Sequence, residues 1–255
     1  MVRVAAILLG LLLVAESQPA VAQPDQPNAL RKEIEELKEG QLRLRQELEQ
    51  LKGLLRQRET ASRVRPVDVV LDVRDAPFKG DRSARVTLVE FADYECPFCG
   101  RHFHTTLPQL ERDYIRTSKL RYVFRDFPLP SLHKEAVAAA QAAGCAGERG
   151  KFWEMHARLF ADPKSLGAND LRLHAAAVGL DAREFEQCLA TGKHAAKIQR
   201  DVADGQKAGV RGTPTFFVGL TEADGQTVKV TTMLVGAQPY AVFREAIEGL
   251  LSPSR

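Results

Sequence analysis

The residues with the clearest chemical potential are two cysteines separated by two positions, Cys96-Pro97-Phe98-Cys99. An apolar, β-branched run leads into this segment, and a helical pattern follows it. The first backbone N–H groups of a helix have no intrahelical partners and the helix dipole is positive there, so a cysteine at that end is stabilised as a thiolate. The pattern predicts a dithiol–disulfide centre in which Cys96 attacks and Cys99 resolves.

A Cys-x-x-Cys pair also occurs in zinc sites, and two histidines lie nearby. A structural zinc site needs about four convergent ligands. Cys96, Cys99 and His102 could share one helix face, but His104 could not easily join them, and the sequence has no second Cys-x-x-Cys. We therefore predict redox chemistry with no metal, place His102 and His104 at the surface or behind the site, and expect Pro97 to occupy the first helical turn.

Residues 1–22 have the pattern of a secretory signal. Arg3 supplies the positive charge, Val4 to Val14 the apolar core, and Ala20-Val21-Ala22 a cleavage site. The apolar run is shorter than the roughly 20 residues of a membrane-spanning helix, although an uncleaved anchor is the alternative. The mature protein is expected to be periplasmic or otherwise extracytoplasmic, where disulfides persist. Its net charge of +3 does not favour nucleic acid as a partner.

A heptad pattern occupies residues 23–58 and is clearest over 28–58. With Ile34 at position a, the a and d positions hold apolar residues and one Gln41: Leu30, Ile34, Leu37, Leu44, Leu48, Leu51 and Leu55. Position e is basic, and position g carries Glu33 and Glu47. In a parallel assembly Glu33 would face Lys38 of a neighbour. The pattern predicts a coiled-coil helix that forms a homo-oligomer.

An amphipathic helix docked on its own domain is the alternative, but docked helices usually have a wider apolar face. Leucine at d with Ile34 at a favours a dimer, whereas the remaining a positions leave dimer and trimer open. Residues 59–66 lose the periodicity, end in Pro66 and are interpreted as a linker.

Residues 67–255 are expected to form one α/β domain. The predicted strands are Val67–Val73, Ala84–Phe91, Leu120–Phe127, Thr215–Val218 and Thr227–Leu234. The predicted helices are Cys96 to about Arg116, bent near Pro108, an alanine-rich block within about 131–208, and Tyr240–Leu251. The order suits a small central sheet with helices on both faces.

Four motifs carry a family resemblance. They are Val89-Glu-Phe-Ala-Asp-Tyr-Glu-Cys-Pro-Phe-Cys99, Phe124-Arg-Asp-Phe-Pro-Leu-Pro130 with His133, Cys145-Ala-Gly-Glu-Arg-Gly-Lys-Phe-Trp-Glu-Met-His156, and Val210-Arg-Gly-Thr-Pro-Thr-Phe-Phe217. Over roughly residues 75–250 the chain resembles the DsbA-type thiol–disulfide oxidoreductases of the thioredoxin superfamily, in particular their BdbD-like and ScsC-like members. The resemblance implies a thioredoxin fold with an inserted helical subdomain.

The resemblance also implies site residues. Pro214 matches the family's cis-proline, which turns the Thr213 backbone toward the dithiol. Pro97, Phe98, Thr213 and Pro214 are therefore expected to contact the substrate. Glu90 matches the family's buried acid, which would exchange the proton of Cys99; a solvent-facing glutamate is the alternative.

Cys145 and Cys188 have no reactive spacing. In an oxidising compartment two remaining cysteines usually pair, so we predict a structural disulfide, with two buried free thiols as the alternative.

The direction of the reaction stays open at this stage. An oligomeric disulfide isomerase or reductase is favoured by the coiled coil, and a DsbA-like oxidase by the catalytic domain. Phe98 brings no charge next to Cys99, which predicts a less depressed pKa at Cys96 and a weaker oxidant. Expected partners are cysteine-containing secreted proteins and a membrane redox partner, with no cofactor beyond the dithiol. An oligomeric holdase or a copper-handling protein is the non-enzymatic alternative.

Overall fold

The computed structural model describes residues 26–252, with side chains omitted at 26–27 and 54–62. The predicted signal at residues 1–22 lies outside the described residues and stays a prediction. The chain divides into two compact units, with the boundary between Arg56 and Gln57. Across residues 26–252 every helix is too short or too polar to cross a bilayer.

Helix α1, Gln26–Arg63, holds the described residues of the N-terminal unit and continues past the unit boundary. The apolar heptad side chains that are described are 42–72% exposed in the single chain: Leu30, Ile34, Leu37, Leu44, Leu48 and Leu51. Both position-e lysines pair along their own helix, Lys38 with Glu35 at 3.3 Å and Lys52 with Glu49 at 2.8 Å. The helix is present, and the coiled coil stays a prediction.

The predicted linker at residues 59–66 contains the end of a helix and the start of a strand, and its role as a linker stays a prediction. Helix α1 continues to Arg63, and strand β1 begins at Val64. Residues 59–63 contain neither glycine nor proline, so nothing in them interrupts a helix. Pro66 is accommodated because β1 lies at the edge of the sheet, where a missing N–H is tolerated, and the pairing is irregular between Pro66 and Val69.

The described strands form one six-stranded sheet in the order β1-β6-β5-β3-β4-β2. Their bounds are β1 Val64–Asp72, β2 Phe78–Lys79, β3 Val86–Ala92, β4 Leu120–Asp126, β5 Thr215–Thr221 and β6 Thr227–Val235. Strands β3 and β4 are parallel, and the other pairs are antiparallel. Strand β3 is buried along its whole length, so its C-terminal end delivers the dithiol segment from the centre of the sheet.

The helices of the second unit are α2 Pro97–Thr105, α3 Leu107–Leu110, α4 Ala136–Gly147, α5 Phe152–Ala161, α6 Ala168–Ala177, α7 Ala182–Ala190, α8 Ala195–Lys207 and α9 Tyr240–Leu251. A π-helical turn, Glu111–Ile115, follows α3. The predicted helix from Cys96 is interrupted at Thr106, because Pro108 has no N–H to bond the His104 carbonyl and its ring crowds that oxygen. Along the chain, helices α4 to α8 lie between strands β4 and β5, which agrees with the predicted inserted helical subdomain.

The dithiol lies where the inserted helices pack on the sheet. One apolar cluster joins Cys96, Cys99 and Phe124 to residues of α4 and α5, including Ala139 and Met155. Another fills the space between the sheet and helices α3 and α9. The α/β fold with inserted helices is therefore confirmed.

Candidate active site

Cys96 occupies the N-cap of α2, and Pro97 takes the first helical position. The Cys96 N–H donates to the Asp93 carbonyl at 3.1 Å, and the Gly100 N–H donates to the Cys96 carbonyl at 3.1 Å. Both thiols are free. Cys96 retains 4% exposure and Cys99 none, so the outer thiol is more enclosed than its expected attacking role suggested. The adjacent Phe98 is 53% exposed.

The two thiols have opposite pKa shifts. Hydrogen bonds lower the pKa of Cys96 from an ordinary 9 to about 6; that from the Cys99 thiol is the strongest, and others come from the backbone N–H groups of Cys99 and Phe98. Burial raises the pKa of Cys99 well above its ordinary value, and the neighbouring Cys96 adds to this. At neutral pH the outer sulfur is a thiolate and the inner one a thiol.

Glu90 lies beneath the dithiol on β3 and is 2% exposed, so it does not face solvent. The Tyr122 hydroxyl donates to Glu90 Oε2. Burial raises the pKa of Glu90 to about 8, against the opposing hydrogen bond from Tyr122. Charge on Glu90 in turn raises the pKa of Cys99. A carboxyl with this pKa can both accept and return a proton near neutral pH.

Thr213 and Pro214 lie directly before β5, and the peptide bond between them is cis. The Cys96 thiol donates to the Thr213 carbonyl at 3.4 Å. Thr213 Oγ1 is buried and has no hydrogen-bond partner among residues 26–252. The segment that the resemblance assigned to substrate contact therefore lies against the outer thiol.

The sequence interpretation gave no role to Asp93, which organises the loop before Cys96. Its Oδ1 accepts the Glu95 N–H at 2.8 Å, and its Oδ2 lies 2.8 Å from both the Leu129 nitrogen and His133 Nδ1. Tyr122, the partner of Glu90, was missed as well. The available signal for Tyr122 was strand alternation, because it pairs with Leu88 beside Glu90 in the parallel register.

Of the two positions predicted for His102, at the surface or behind the site, the structure has the buried one. Its ring is buried, with centroids 4.4 Å from Phe216 and 5.2 Å from Phe243. Burial lowers the pKa of His102 to about 3, so it is neutral and part of the apolar core. The reason is helical spacing, which places His102 on the same inward face as Cys99. His104 is exposed, as predicted, and its Nε2 lies 3.1 Å from the Phe160 carbonyl.

Cys145 and Cys188 are joined by a disulfide that links α4 to α7, with their Cα atoms 6.0 Å apart. His194 lies close enough to both sulfurs to complete a three-ligand cluster. Because the two sulfurs are bonded to each other, neither offers a thiolate to a metal.

Sequence comparison relates this chain to the thioredoxin family, whose model matches residues 73–236. The Na(+)/H(+) antiporter NhaA 3 of Salinispora tropica is 43% identical over 140 residues, which cover 55% of this chain and 21% of the antiporter. The chain spans about a fifth of the length of the curated relatives that it matches first.

Solved structures give the same fold. Oxidised BdbD from Bacillus subtilis is 24% identical, with a TM-score of 0.62 over 73% of this chain and 98% of BdbD. Alpha-DsbA1 from Wolbachia pipientis is 24% identical, with a TM-score of 0.58 over 71% and 92%. The catalytic domain of Proteus mirabilis ScsC is 21% identical, with a TM-score of 0.55 over 71% and 91%. At these identities the similarity establishes the fold.

Proposed function

Because the chain belongs to the thioredoxin family, we propose that it is an extracytoplasmic thiol–disulfide oxidoreductase that acts on protein cysteines through Cys96 and Cys99. The observation that carries this proposal is the opposite ionisation of the two thiols at the start of α2. A low pKa makes Cys96 a nucleophile and a leaving group, while Cys99 stays protonated until it attacks the mixed disulfide.

In the reducing direction, the Cys96 thiolate attacks a substrate disulfide. One substrate sulfur leaves as a thiolate, and a mixed disulfide forms. Glu90 takes the proton of Cys99, whose thiolate then attacks the Cys96 sulfur and releases the second substrate thiolate. In the oxidising direction the same steps reverse, and Glu90 returns the proton as Cys99 leaves. Isomerisation results when a substrate thiol, instead of Cys99, resolves the mixed disulfide.

The proposed substrate groove is formed by Pro97, Phe98, Thr213 and Pro214. Pro97 and Phe98 are exposed beside the enclosed Cys96, and the Thr213 carbonyl contacts its sulfur. An extended substrate segment would pair with the Thr213 backbone, and Phe98 would offer an apolar contact near its cysteine.

For the direction, we favour an oligomeric isomerase or reductase. The support is α1, whose apolar heptad side chains are exposed in the single chain and would be covered by self-association over residues 28–58. An oligomer would surround one misfolded substrate with several dithiols and hinder a membrane oxidase from reaching Cys96.

A DsbA-like oxidase is the second candidate, and one observation favours it. The sequence predicted only a weakly depressed pKa at Cys96 because Phe98 is uncharged, whereas the structure lowers that pKa to about 6. A stabilised thiolate leaves readily, which favours transfer of the disulfide to a substrate.

The reduction potential of Cys96–Cys99, measured against glutathione, tests the proposal together with two ribonuclease assays. Refolding of reduced ribonuclease reports oxidation, and recovery of scrambled ribonuclease reports isomerisation. The Cys96→Ala variant should be inactive in both. Unchanged activity of that variant in both assays would contradict the oxidoreductase proposal. Holdase activity that survives in the variant would favour a holdase, and copper binding that is lost in it would favour copper handling.

A further inference from the structure

One partly exposed ionisable side chain beside the dithiol has no part in the exchange steps above. His133 lies in the loop between β4 and α4, and its side chain is 18% exposed. Its Nδ1 lies 2.8 Å from Oδ2 of Asp93, whose side chain is fully buried. The imidazole is therefore held on one side by a carboxylate while remaining accessible to protons from solvent.

Asp93 contacts both this histidine and the backbone of Cys96. Its backbone carbonyl accepts the Cys96 N–H at 3.1 Å, so one residue contacts the N-cap through its main chain and His133 through its side chain. A second contact joins the same two loops, since Glu95 Oε2 accepts the Glu135 N–H at 2.8 Å. The imidazole is consequently fixed relative to the start of α2.

We propose that His133, held by Asp93 in its protonated form, is the cation that stabilises the Cys96 thiolate in this site. It is a positioning residue that acts through Cys96 and does not itself touch the reacting substrate. In this chain the residue before Cys99 is Phe98, which carries no charge, so a cation that adds to the hydrogen bonds on Cys96 has to come from outside the Cys-x-x-Cys segment. The inference rests on the proposed function only in that both use a Cys96 thiolate.

The ionisation of His133 agrees with this geometry. Burial lowers the pKa of His133, but Asp93, Cys96 and Glu95 together raise it above its ordinary value, Asp93 most strongly. Lys134 and Glu135, the next residues of the same loop, also carry charge, and they pair with each other at 3.7 Å. Coupling between two ionisable sites is reciprocal. If charge on Cys96 favours the imidazolium, the imidazolium favours the Cys96 thiolate equally.

The proton balance of the redox step follows. A substrate dithiol gives two electrons and two protons when it reduces the Cys96–Cys99 disulfide and becomes a disulfide itself. Cys99 keeps one proton as a thiol and Cys96 remains a thiolate. The second proton goes to His133 in those molecules whose imidazole is neutral in the oxidised form, and to solvent in the others. The oxidised site lacks the thiolate and therefore holds that proton less strongly.

Nuclear magnetic resonance titration of the unsubstituted full-length protein tests the coupling between His133 ionisation and the Cys96 thiolate. The His133 resonance is assigned by its loss in His133→Asn, whose side-chain N–H can still donate to Asp93. We expect the pKa of His133 to be about one unit higher in the reduced than in the oxidised protein. An equal pKa in the two redox forms would overturn the inference.

Thiolate absorbance at 240 nm tests the reciprocal effect. His133→Asn should raise the pKa of Cys96 by the same amount, about one unit. The matched control is Lys134→Gln, which removes the neighbouring charge from a side chain that is 84% exposed and should leave that pKa unchanged. An unchanged Cys96 pKa in His133→Asn, or equal changes in both variants, would contradict the inference. Neither measurement uses a substrate, so a protein that shows the coupling but no exchange activity would refute the proposed function alone.

Discussion

At the residue scale, the difference between the two thiols depends on which atoms each can reach. Cys96 at the N-cap receives hydrogen bonds from the thiol and backbone N–H groups of the first helical turn, whereas Cys99 is inside that turn and fully buried. The same short segment therefore holds one sulfur that ionises easily and one that does not.

Alkylation should distinguish the cysteines. After mild reduction at pH 7, a brief iodoacetamide pulse should label Cys96 alone, because it is a thiolate with residual exposure while Cys145 and Cys188 are bonded to each other. Peptide mass spectrometry reads the result, with Cys96→Ala as the control for background labelling. Preferential labelling of Cys145 or Cys188 would contradict the assignment.

Replacing Cys99 with Ala should trap mixed disulfides on Cys96, because no resolving thiol remains. Non-reducing gels of the variant mixed with a disulfide-containing substrate detect the trapped species. Adding a substitution at Thr213 or Pro214 should change the lifetime of the trapped species if these residues line the groove. If the trapped species has the same lifetime in both double variants as in the Cys99→Ala single variant, the result would argue against that groove.

Glu90 predicts a pH dependence of stability. Its pKa is about 8 in the folded protein and near 4.5 when the chain is unfolded, so the folded state binds the proton more tightly. The resulting stability is fully present below pH 4.5 and is lost as the pH rises through 8. Glu90→Gln, which cannot ionise, should avoid a loss on the order of several kcal/mol.

Urea unfolding of the oxidised protein at pH 5 and pH 9 measures this effect, because oxidation removes the titration of the two thiols. The parent should lose more stability between the two pH values than Glu90→Gln does. Glu222→Gln, at an exposed site, serves as the control and should behave like the parent. Equal losses in the parent and in Glu90→Gln would show that Glu90 does not titrate in this range.

At the scale of elements, patterns that depend on neighbours along the chain were predictable. Helix α9 has the bounds Tyr240–Leu251 in both the sequence and the structure, because its apolar spacing and the preceding Pro239 define it locally. Strand β2 was missed, since two residues have no periodicity and are held by pairing with β4. The end of α1 was also misplaced, because loss of a heptad pattern does not by itself end a helix.

The same distinction holds for the site. The Cys-x-x-Cys segment and its strand–helix setting were visible in the sequence, whereas the contact of Asp93 with His133 joins residues 40 positions apart. For His102 the sequence left two positions open, at the surface or behind the site. Contacts with Phe216 and Phe243, which lie far along the chain, decide for the buried one.

Removal of the disulfide between α4 and α7 should lower the stability of the protein without changing the dithiol site. On the chain-entropy model, removing a bridge that spans 43 residues should lower the free energy of unfolding by about 4 kcal/mol. The variant with both Cys145 and Cys188 changed to Ala should therefore unfold at lower urea concentration. Its Cys96 thiolate titration, measured at 240 nm, should match the parent; a changed Cys96 pKa would show that the bridge also shapes the dithiol site.

At the scale of the whole molecule, the sequence combines a heptad helix with a domain that has its own apolar clusters. The clusters of the second unit draw on strands β1 to β6 and on helices α2 to α9. Removing residues 23–62 should therefore give a folded protein with an intact dithiol. Circular dichroism and the 240 nm titration of Cys96 check this.

The truncated protein should also be monomeric, because the heptads supply the proposed self-association. It should lose most isomerase activity, since that activity would need several dithiols around one substrate, and it should keep or gain simple dithiol oxidation, since Cys96 becomes accessible to a membrane oxidase. Light scattering of both forms comes first, followed by the scrambled and reduced ribonuclease assays. A full-length protein that is already monomeric would overturn the coiled-coil prediction. A monomeric truncation that isomerises as well as the parent would show that oligomerisation is not the mechanism, and the oxidase candidate would then be favoured.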